Sequence, residues 1–326
     1  ASRTLSMTVH TEMSVTVTDI ELVADAIKQF TLERVDGQPM PAFAPGAHIV
    51  VSMMDAGRLR RNPYSLMSSP RDPWNFRISV LRVERSRGGS VFMHDVIAVG
   101  DTLTISQPVN LFPVDILARR NLFIAGGVGI TPFIPMMEVL NEKGGVFELY
   151  YSIRSRSHGA FWSEMSALYP NRVKIAVGAE GYRFDYHELL INQPLGTHLY
   201  VCGPKLMLEH IFNIARDLGW AQENLHFELF LAPPSGSPFT AKLASSGKEI
   251  VVAEHQSLLE SVEEAGVDAP FLCRAGACGQ CETRVLASDG EIIHNDIFLT
   301  DEERKSGTKI MPCVSRFVGV GLTIEL

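Results

Sequence analysis

The stretch Cys273-Arg-Ala-Gly-Ala-Cys278-Gly-Gln-Cys281 decides how the C-terminal part of this chain folds, and Cys313 follows it 32 positions later. The spacing C-x4-C-x2-C…C is that of loops that hold a plant-type [2Fe–2S] cluster. Such a loop must point three thiolates and several backbone N–H groups at one small anionic cluster, which requires neighbours without bulk. The two glycines and two alanines of the stretch meet this requirement, since glycine also tolerates a left-handed backbone.

The four cysteines Cys273, Cys278, Cys281 and Cys313 are therefore predicted to be the metal ligands of an iron–sulfur cluster. A structural zinc site is one alternative, but zinc ribbons use two C-x2–4-C pairs, and the second half of this pattern supplies one cysteine. Buried cysteines without metal are another alternative. A disulfide framework is disfavoured because five cysteines are an odd number in a chain with no export signal.

Length and composition bound the rest of the chain. The 326 residues predict two or three domains, and 46% hydrophobic with 20% charged residues is ordinary for a globular protein. The net charge of −8 argues against a nucleic-acid partner, which would need a basic excess. No stretch approaches 18 consecutive apolar residues, and the start lacks a secretory pattern. We therefore expect a soluble, cytoplasmic protein with no membrane partner.

Two proline-centred breaks divide the chain, one at Phe112-Pro113 and one in the run Ala232-Pro-Pro-Ser-Gly-Ser-Pro238. The last segment carries 8 Lys/Arg against 14 Asp/Glu, a balance of −6, so most of the acidity lies there. The breaks predict a first domain over 1–112, a second over 113–231, a linker over 232–237 and a third domain over 238–326.

Each domain has its own pattern of apolar residues. The first shows short alternating runs between turns, with one helix near Ser90–Ile97, which predicts a small antiparallel β-barrel. The second alternates strands with helices, which predicts a parallel sheet covered by helices, with ligands at the strands' carboxyl edge. Its helix after Thr131 is expected to use Thr131 as N-cap, and its last strand to span Leu225–Phe230. The third is predicted to be a small α+β unit ending in a strand at Gly321–Leu326.

Residues 238–326, with the cysteine motif, resemble a plant-type ferredoxin of β-grasp fold. The whole chain resembles the phthalate dioxygenase reductase family, with motifs in each of the three domains. The resemblance implies a flavin-binding barrel, an α/β domain for the pyridine nucleotide and a ferredoxin domain, in that order.

The second domain carries the motifs that the resemblance assigns to the nucleotide. Gly126-Gly-Val-Gly-Ile-Thr-Pro132 follows an apolar strand and opens a helix, so its amides face a phosphate; a well-capped turn without a ligand is the alternative. Cys202-Gly203-Pro204 is similar to the family motif whose cysteine lies beside the nicotinamide. The resemblance also places Glu228 near the reacting rings and Phe230 on the flavin face. The residues expected to bind the nucleotide are Gly126, Gly127, Gly129, Thr131, Arg154, Cys202, Gly203 and Pro204.

The first domain carries two motifs that resemble the family's flavin site. In Asn62-Pro-Tyr64-Ser65-Leu66, the resemblance implies that Tyr64 packs on the flavin ring and that Ser65 hydrogen-bonds near its N5 atom. Asn62 stands where the family has an arginine, and one of the two arginines just upstream is the expected substitute.

The second motif, Arg87-Gly88-Gly89-Ser90, opens the predicted helix and is similar to the family segment that binds the flavin phosphate. An ordinary turn with a serine cap is the alternative. The resemblance implies FMN rather than FAD, since the family lacks an adenine-binding extension.

The resemblance implies hydride transfer from NADH to FMN, followed by passage of single electrons through the cluster to a Rieske-type terminal oxygenase. Ser65, Thr131, Cys202 and Glu228 are the expected positioning groups for the hydride. NADPH stays open, because Arg154-Ser155-Arg156 occupies a position where NADH-preferring members have an acidic residue. A cytochrome or hydroxylase as acceptor, and a non-catalytic redox-sensing protein, are the other readings. The oxygenase substrate, an aromatic acid or a quaternary ammonium compound, is also left open.

Overall fold

The computed structural model describes residues 12–55, 57–84, 87–229 and 235–326. The first part of this structure is an antiparallel sheet with one helix, α1 (Gly89–Asp95). Its strands are β1 (Met13–Ala24), β2 (Ile27–Arg34), β3 (Ala47–Asp55), β4 (Arg58–Ser65), β5 (Asn75–Leu81), β6 (Thr102–Ile105) and β7 (Val109–Asn110). They lie in the order β4-β3-β6-β1-β2-β5, with β7 beside β3. The two end strands, β4 and β5, contact each other, so the sheet closes into the expected barrel.

The second part is a parallel sheet with helices packed on it. Its strands are β8 (Arg120–Gly126), β9 (Phe147–Ile153), β10 (Val173–Val177), β11 (Thr197–Cys202) and β12 (Leu225–Glu228). The spatial order is β10-β9-β8-β11-β12. The helices are α2 (Phe133–Glu142), α3 (Trp162–Leu168), α4 (Tyr186–Ile191) and α5 (Lys205–Asp217), with 3-10 turns at Gly127–Ile130, Gly178–Glu180 and Gln222–Asn224.

The third part is a mixed sheet in the order β14-β13-β17-β15-β16. Its strands are β13 (Phe239–Leu243), β14 (Lys248–Val252), β15 (Thr283–Ile293), β16 (Lys309–Ile310) and β17 (Arg316–Ile324). Among the described strands of this third sheet, only β13 and β17 pair in parallel. Two short helices, α6 (Leu258–Glu264) and α7 (Asp301–Ser306), each begin with a capping box, Ser257 with Glu260 and Thr300 with Glu303.

Each sheet has its own buried core, which is why the chain forms three units. In β9, alternate side chains are buried in strict succession, as period-2 patterning requires. A smaller cluster joins the first two units, where Ala24 and Ile27 of the barrel pack on Ala160. The fold class expected from the sequence is thus confirmed. The domain limits at 112, 231 and 238 stay predictions.

The helix after Thr131 begins differently from the prediction. The residues 127–130 already form a 3-10 turn, Thr131 has a helical backbone and Pro132 is the cap residue. An N-cap side chain needs an extended backbone, which this turn does not leave at Thr131. Its hydroxyl instead donates to the carbonyl of Val128 at 3.1 Å. The predicted capping role of Thr131 is therefore wrong.

Two predicted strands have different bounds in the structure, and two further elements were not predicted. The last strand is Arg316–Ile324, which starts five residues before the predicted one. The long strand β15 and the helix α7 were not expected, because β15 is largely exposed and lacks a clean apolar alternation. The strand β12 ends at Glu228, and Phe230 lies outside the described residues.

Candidate active site

A cleft of about 1820 Å³ lies between the barrel and the carboxyl edge of the parallel sheet. It gathers predicted site residues from both units although they are far apart in sequence. Those that line it are Asn62, Tyr64, Ser65, Arg87, Gly89, Ser90, Gly126, Gly127, Gly129, Thr131, Arg154, Gly203 and Pro204. Gly88, Cys202 and Glu228 are not among the cleft-lining residues, and Phe230 is outside the part of the chain described.

The barrel side of the cleft is formed by β4 and the start of α1. Asn62 and Tyr64 are two residues apart on β4 and share a face, and the Asn62 amide donates to the Tyr64 hydroxyl at 3.3 Å. Burial raises the pKa of Tyr64 to about 12, while the Asn62 hydrogen bond lowers it slightly. A Cβ atom on Gly89 would lie 2.5 Å from the Asn62 amide nitrogen. A residue larger than glycine at position 89 would therefore displace the Asn62 side chain.

The two arginines upstream of Asn62 have different surroundings. Arg60 is 8% exposed, forms an ion pair with Asp55 and lies next to Gly88, where a Cβ atom would come within 3.3 Å of its guanidinium. Arg61 points to the other face of β4 and forms an ion pair with Glu263 at 3.0 Å. Of the two, Arg60 is therefore the arginine beside the glycines that open α1, although it is not among the cleft-lining residues.

Arg87 and Ser90 flank the glycines that open α1. Gly88 has a φ of +95°, a backbone conformation that favours glycine. The Ser90 hydroxyl accepts a hydrogen bond from the Val83 N–H at 3.1 Å. Arg87 is 4% exposed, lines the cleft and pairs with Glu260 of α6 at 2.5 Å, while its Nε is buried without a partner among the described residues. A buried guanidinium with a free N–H fits an anionic group in the cleft.

The nucleotide side of the cleft depends on two loops in direct contact. A Cβ atom on Gly129 would lie 2.3 Å from the Cys202 carbonyl oxygen, and one on Gly126 would lie 2.8 Å from Pro204. Gly127 has a φ of +56° and no neighbour within 4 Å of a Cβ position. The glycines therefore let the loop after β8 pack against the loop after β11, so that both predicted motifs border one space.

Ser65 and Glu228 join the two units at the border of the cleft, since Ser65 lines it and Glu228 lies just outside it. The Ser65 hydroxyl donates to the Glu228 carboxyl at 2.7 Å, although 163 residues separate them. Glu228 pairs with Cys202 in the register of β11 and β12. Desolvation raises the pKa of Glu228 to about 7, against a smaller lowering by the Ser65 hydrogen bond. Burial likewise raises the pKa of the Cys202 thiol, so the uncharged thiol is the stable form.

A second cavity of about 360 Å³ continues from this point to the cysteine loop. Pro63 of β4 lines both cavities, so they lie on either side of this residue. Glu228, Cys273 and Cys278 all line the smaller cavity. His48 also lines it, and its Nε2 is buried without a hydrogen-bond partner in the described part of the chain. Glu228, which contacts Ser65, thus faces the same cavity as the cysteine loop.

The cysteine loop holds its four thiols as two pairs. The sulfurs of Cys281 and Cys313 are 3.2 Å apart, and a hydrogen bond from Cys278 lowers the pKa of Cys273 to about 5, helped by backbone amides of the loop. The N–H of Ala275 points at the Cys273 sulfur from 3.4 Å. No group of three or more His, Cys, Asp or Glu side chains converges on one metal position within the described residues. Four thiols in two pairs, with amides directed at sulfur, match a two-iron cluster.

Two glycines give the loop its shape. Gly276 and Gly279 have φ values of +72° and +77°, as the sequence predicted. A Cβ atom on Gly276 would lie 2.6 Å from Val314, and one on Gly279 would lie 2.3 Å from the Phe298 ring. The loop therefore excludes any larger residue at both positions. All five cysteines are free thiols.

The residues considered for nucleotide choice are divided between the cleft and the surface. Arg154 lines the cleft, whereas Arg156 pairs with Glu180 at 2.7 Å and lies over the Trp162 ring. Three aromatic residues that the sequence analysis missed, Tyr182, Phe184 and Tyr186, also line this end. Their alternation in the sequence is the signal that would have indicated them.

Comparison with known proteins agrees with this organisation. The model of the "2Fe-2S iron-sulfur cluster binding domain" matches residues 241–318, and that of the "Dimethylamine monooxygenase subunit DmmA-like, N-terminal domain" matches residues 105–225. None of the described helices is long and apolar enough to span a membrane.

Among curated relatives, a carnitine monooxygenase reductase subunit from Acinetobacter baumannii is 40% identical over 98% of this chain and all of its own length. A heme-dependent oxidative N-demethylase beta subunit from Ectopseudomonas mendocina is 39% identical over 97% of this chain and 99% of its own. The solved structure of phthalate dioxygenase reductase is 32% identical, with a TM-score of 0.87 over 97% of this chain and 98% of that one. The chain therefore belongs to the phthalate dioxygenase reductase family of oxidoreductases.

Proposed function

We propose that this oxidoreductase takes hydride from NADH onto FMN and passes single electrons through a [2Fe–2S] cluster to a Rieske-type terminal oxygenase. Flavin chemistry supplies the conversion between a two-electron donor and a one-electron acceptor. The observation that carries the proposal is the position of Glu228, which contacts Ser65 of the cleft and shares a cavity with Cys273 and Cys278 of the cysteine loop.

In this proposal the residues of the chain mainly hold and orient the flavin and the nicotinamide. Tyr64 and Asn62 form one wall for the flavin ring, and the Ser65–Glu228 hydrogen bond holds the two units at the place where hydride passes. Cys202 and Thr131 shape the nicotinamide side as uncharged groups. Their contribution is geometric, so no residue needs to act as an acid or a base.

FMN is proposed rather than FAD. Support comes from the whole-length similarity to phthalate dioxygenase reductase and from Arg87 and Arg60 beside the glycines that open α1. Flavin-domain neighbours with FAD also exist at lower identity. Heat release of the flavin followed by chromatography tests this step, and recovered FAD would refute it.

NADH is proposed as the electron donor. Arg156 is engaged by Glu180, which leaves Arg154 as the cleft-lining arginine of that segment. The ratio of kcat/KM for NADH to that for NADPH tests this choice. A clear preference for NADPH would assign a 2′-phosphate to Arg154 and refute it.

The acceptor is proposed to be an oxygenase component with a Rieske centre. The relatives include the reductase subunit of a carnitine monooxygenase and the beta subunit of a heme-dependent oxidative N-demethylase, so a haem-containing acceptor is the second candidate. The balance of −6 in residues 238–326 favours docking to a basic surface. Turnover with the true partner should then slow at high ionic strength, and salt-independent turnover would refute the docking. We propose the cytoplasm as its compartment, because five cysteines, an odd number, do not suit a disulfide framework.

The decisive experiment uses the purified, coloured chain with NADH. Reduction of both ferricyanide and cytochrome c supports an electron-transfer enzyme. A chain that reduces neither acceptor would leave the redox-sensing alternative and overturn the proposal.

A further inference from the structure

The helix α6 of the third unit touches the barrel through Glu263. Its carboxylate accepts a hydrogen bond from Arg61 at 3.0 Å, and Arg61 is on β4, the strand that carries Asn62, Tyr64 and Ser65. The same carboxylate pairs with both terminal nitrogens of Arg274. Arg274 follows the ligand Cys273 directly, so one carboxylate connects the proposed flavin strand to the cysteine loop.

The surroundings of this contact hold its geometry. The side chains of Arg61, Glu263 and Arg274 are 20%, 18% and 5% exposed. Arg274 has a φ of +53°, and its guanidinium stacks on the Phe271 ring, 3.8 Å from the centroid. A fixed guanidinium loses less freedom on pairing than a mobile one, which favours a defined position for Glu263.

A second contact lies one turn earlier on the same helix. Glu260 pairs with Arg87 at 2.5 Å, with side-chain exposures of 4% and 3%. The same Glu260 oxygen accepts the Ser257 N–H of the capping box at 2.8 Å. Separating charges buried this deeply would leave them unpaired and desolvated, so the pair strongly disfavours an undocked arrangement of the two units.

We propose that Glu263 and Glu260 are positioning residues that dock the iron–sulfur unit on the flavin barrel and so set the distance for electron transfer between them. This inference rests on the proposed function for its kinetic consequence and on the ion pairs alone for its structural consequence. The carboxylates act through Arg61, Arg274 and Arg87 and touch neither nucleotide nor acceptor.

The kinetic test compares Glu263→Gln with Glu264→Gln in the full chain. Glu264 is its exposed neighbour on α6 and contacts Gln256 within the same unit. We expect Glu263→Gln to keep its iron content and NADH–ferricyanide activity but to reduce cytochrome c about ten-fold more slowly. Glu264→Gln should match the wild type in all three measurements. Equal cytochrome c rates in the two variants would overturn the proposal.

A double-mutant cycle separates docking from general loss of structure. Arg61→Gln alone should slow cytochrome c reduction, and combining it with Glu263→Gln should add little, because both remove the same contact between the two units. Arg61→Lys should retain much of the rate, since it keeps the charge. Additive losses, or a lysine variant as slow as the glutamine variant, would contradict a shared contact.

Small-angle X-ray scattering of the Glu260→Gln/Glu263→Gln double variant tests docking without any turnover. Glutamine keeps the acceptor that the capping box needs at position 260. We expect a larger radius of gyration than for the wild type. An unchanged scattering profile would refute the proposed docking role of the two glutamates. A wild-type chain that is more compact than the double variant but reduces neither acceptor would refute the proposed function and still support the docking role.

Discussion

The cysteine loop and the interdomain cleft are built in opposite ways. The loop takes three of its four thiols from one stretch of nine residues, 273–281. The cleft brings Ser65 and Glu228 to 2.7 Å from positions 163 residues apart. Local spacing determines the first site, whereas the packing of two units determines the second.

This difference determines how each site responds to a substitution. A loop that wraps a cluster is complete or absent, since each thiol and each glycine is needed for the same wrapping. The cleft has many walls, so the loss of one contact lowers a rate without removing the site. Substitutions in the two regions should therefore differ in kind as well as in size.

Cys278→Ser should give the largest effect. Loss of the Cys278 thiol removes one of the four predicted ligands, so iron content and cytochrome c reduction are expected to fall to background. NADH–ferricyanide activity should persist, because the cleft is untouched. Cys202→Ser, at the end of β11, should keep its iron but lower both activities, because ferricyanide and cytochrome c both receive electrons after the hydride step. If Cys278→Ser lost both activities equally, the proposed order of electron flow would be contradicted.

Gly276→Ala and Gly127→Ala compare the tolerance for an added methyl group in the cysteine loop and in the cleft. The new Cβ would lie 2.6 Å from Val314 at a φ of +72°, so we expect loss of most of the iron and about 2–3 kcal/mol of stability. Gly127→Ala has a φ of +56° but no neighbour within 4 Å and should cost about 1 kcal/mol. Iron per chain and the midpoint of chemical unfolding measure the difference. Similar losses in both would show that backbone strain alone decides.

Ser65→Ala tests the cleft itself. Without the hydroxyl, the two units lose the contact beside the proposed hydride path, and we expect flavin reduction by NADH to slow by up to about 10²-fold. The iron–sulfur spectrum should not change. Ser68→Ala is the matched control, since the Ser68 hydroxyl is buried with no partner among the described residues. Equal rates in the two variants would remove Ser65 from the site.

The same contrast explains what the sequence could predict. The cysteine ligands, the loop glycines and strands such as β9 depend on neighbours in the chain, so spacing and periodicity indicate them. Most of the residues that the family motifs name line the cleft, and they come from both facing units. The Ser65–Glu228 contact could be placed only through the family resemblance.

The contacts of α6 with the barrel had no sequence signal of that kind. Ser257 and Glu260 fit a capping box, which explains them locally and hides the contact of Glu260 with Arg87. Thr131 was misassigned for a related reason, because residue type suggested a cap where the glycine turn already supplied helical backbone. For Glu260 and Thr131, the local sequence offered an adequate explanation, and only the tertiary structure showed their other contacts.

The smallest expected effect is a pH dependence that belongs to the cleft. Glu228 has a pKa of about 7 in the folded protein, mainly because burial disfavours its charged form, against an ordinary value of 4.5. Between these values the folded state holds a proton that the unfolded state releases, so Glu228 makes stability fall as pH rises from about 4.5 through about 7. Glu228→Gln removes this titration.

The unfolding midpoint of Glu228→Gln, relative to wild type, should therefore rise by a few degrees between pH 5 and pH 8. Glu223→Gln, an exposed carboxylate just before β12, is the control and should show a constant offset. Using the difference between variants cancels every other titrating group, those of the cysteine loop included. A constant offset for Glu228→Gln as well would mean that its carboxyl is solvated in the folded protein, and the cleft would then be open to water at the very contact that joins its two units.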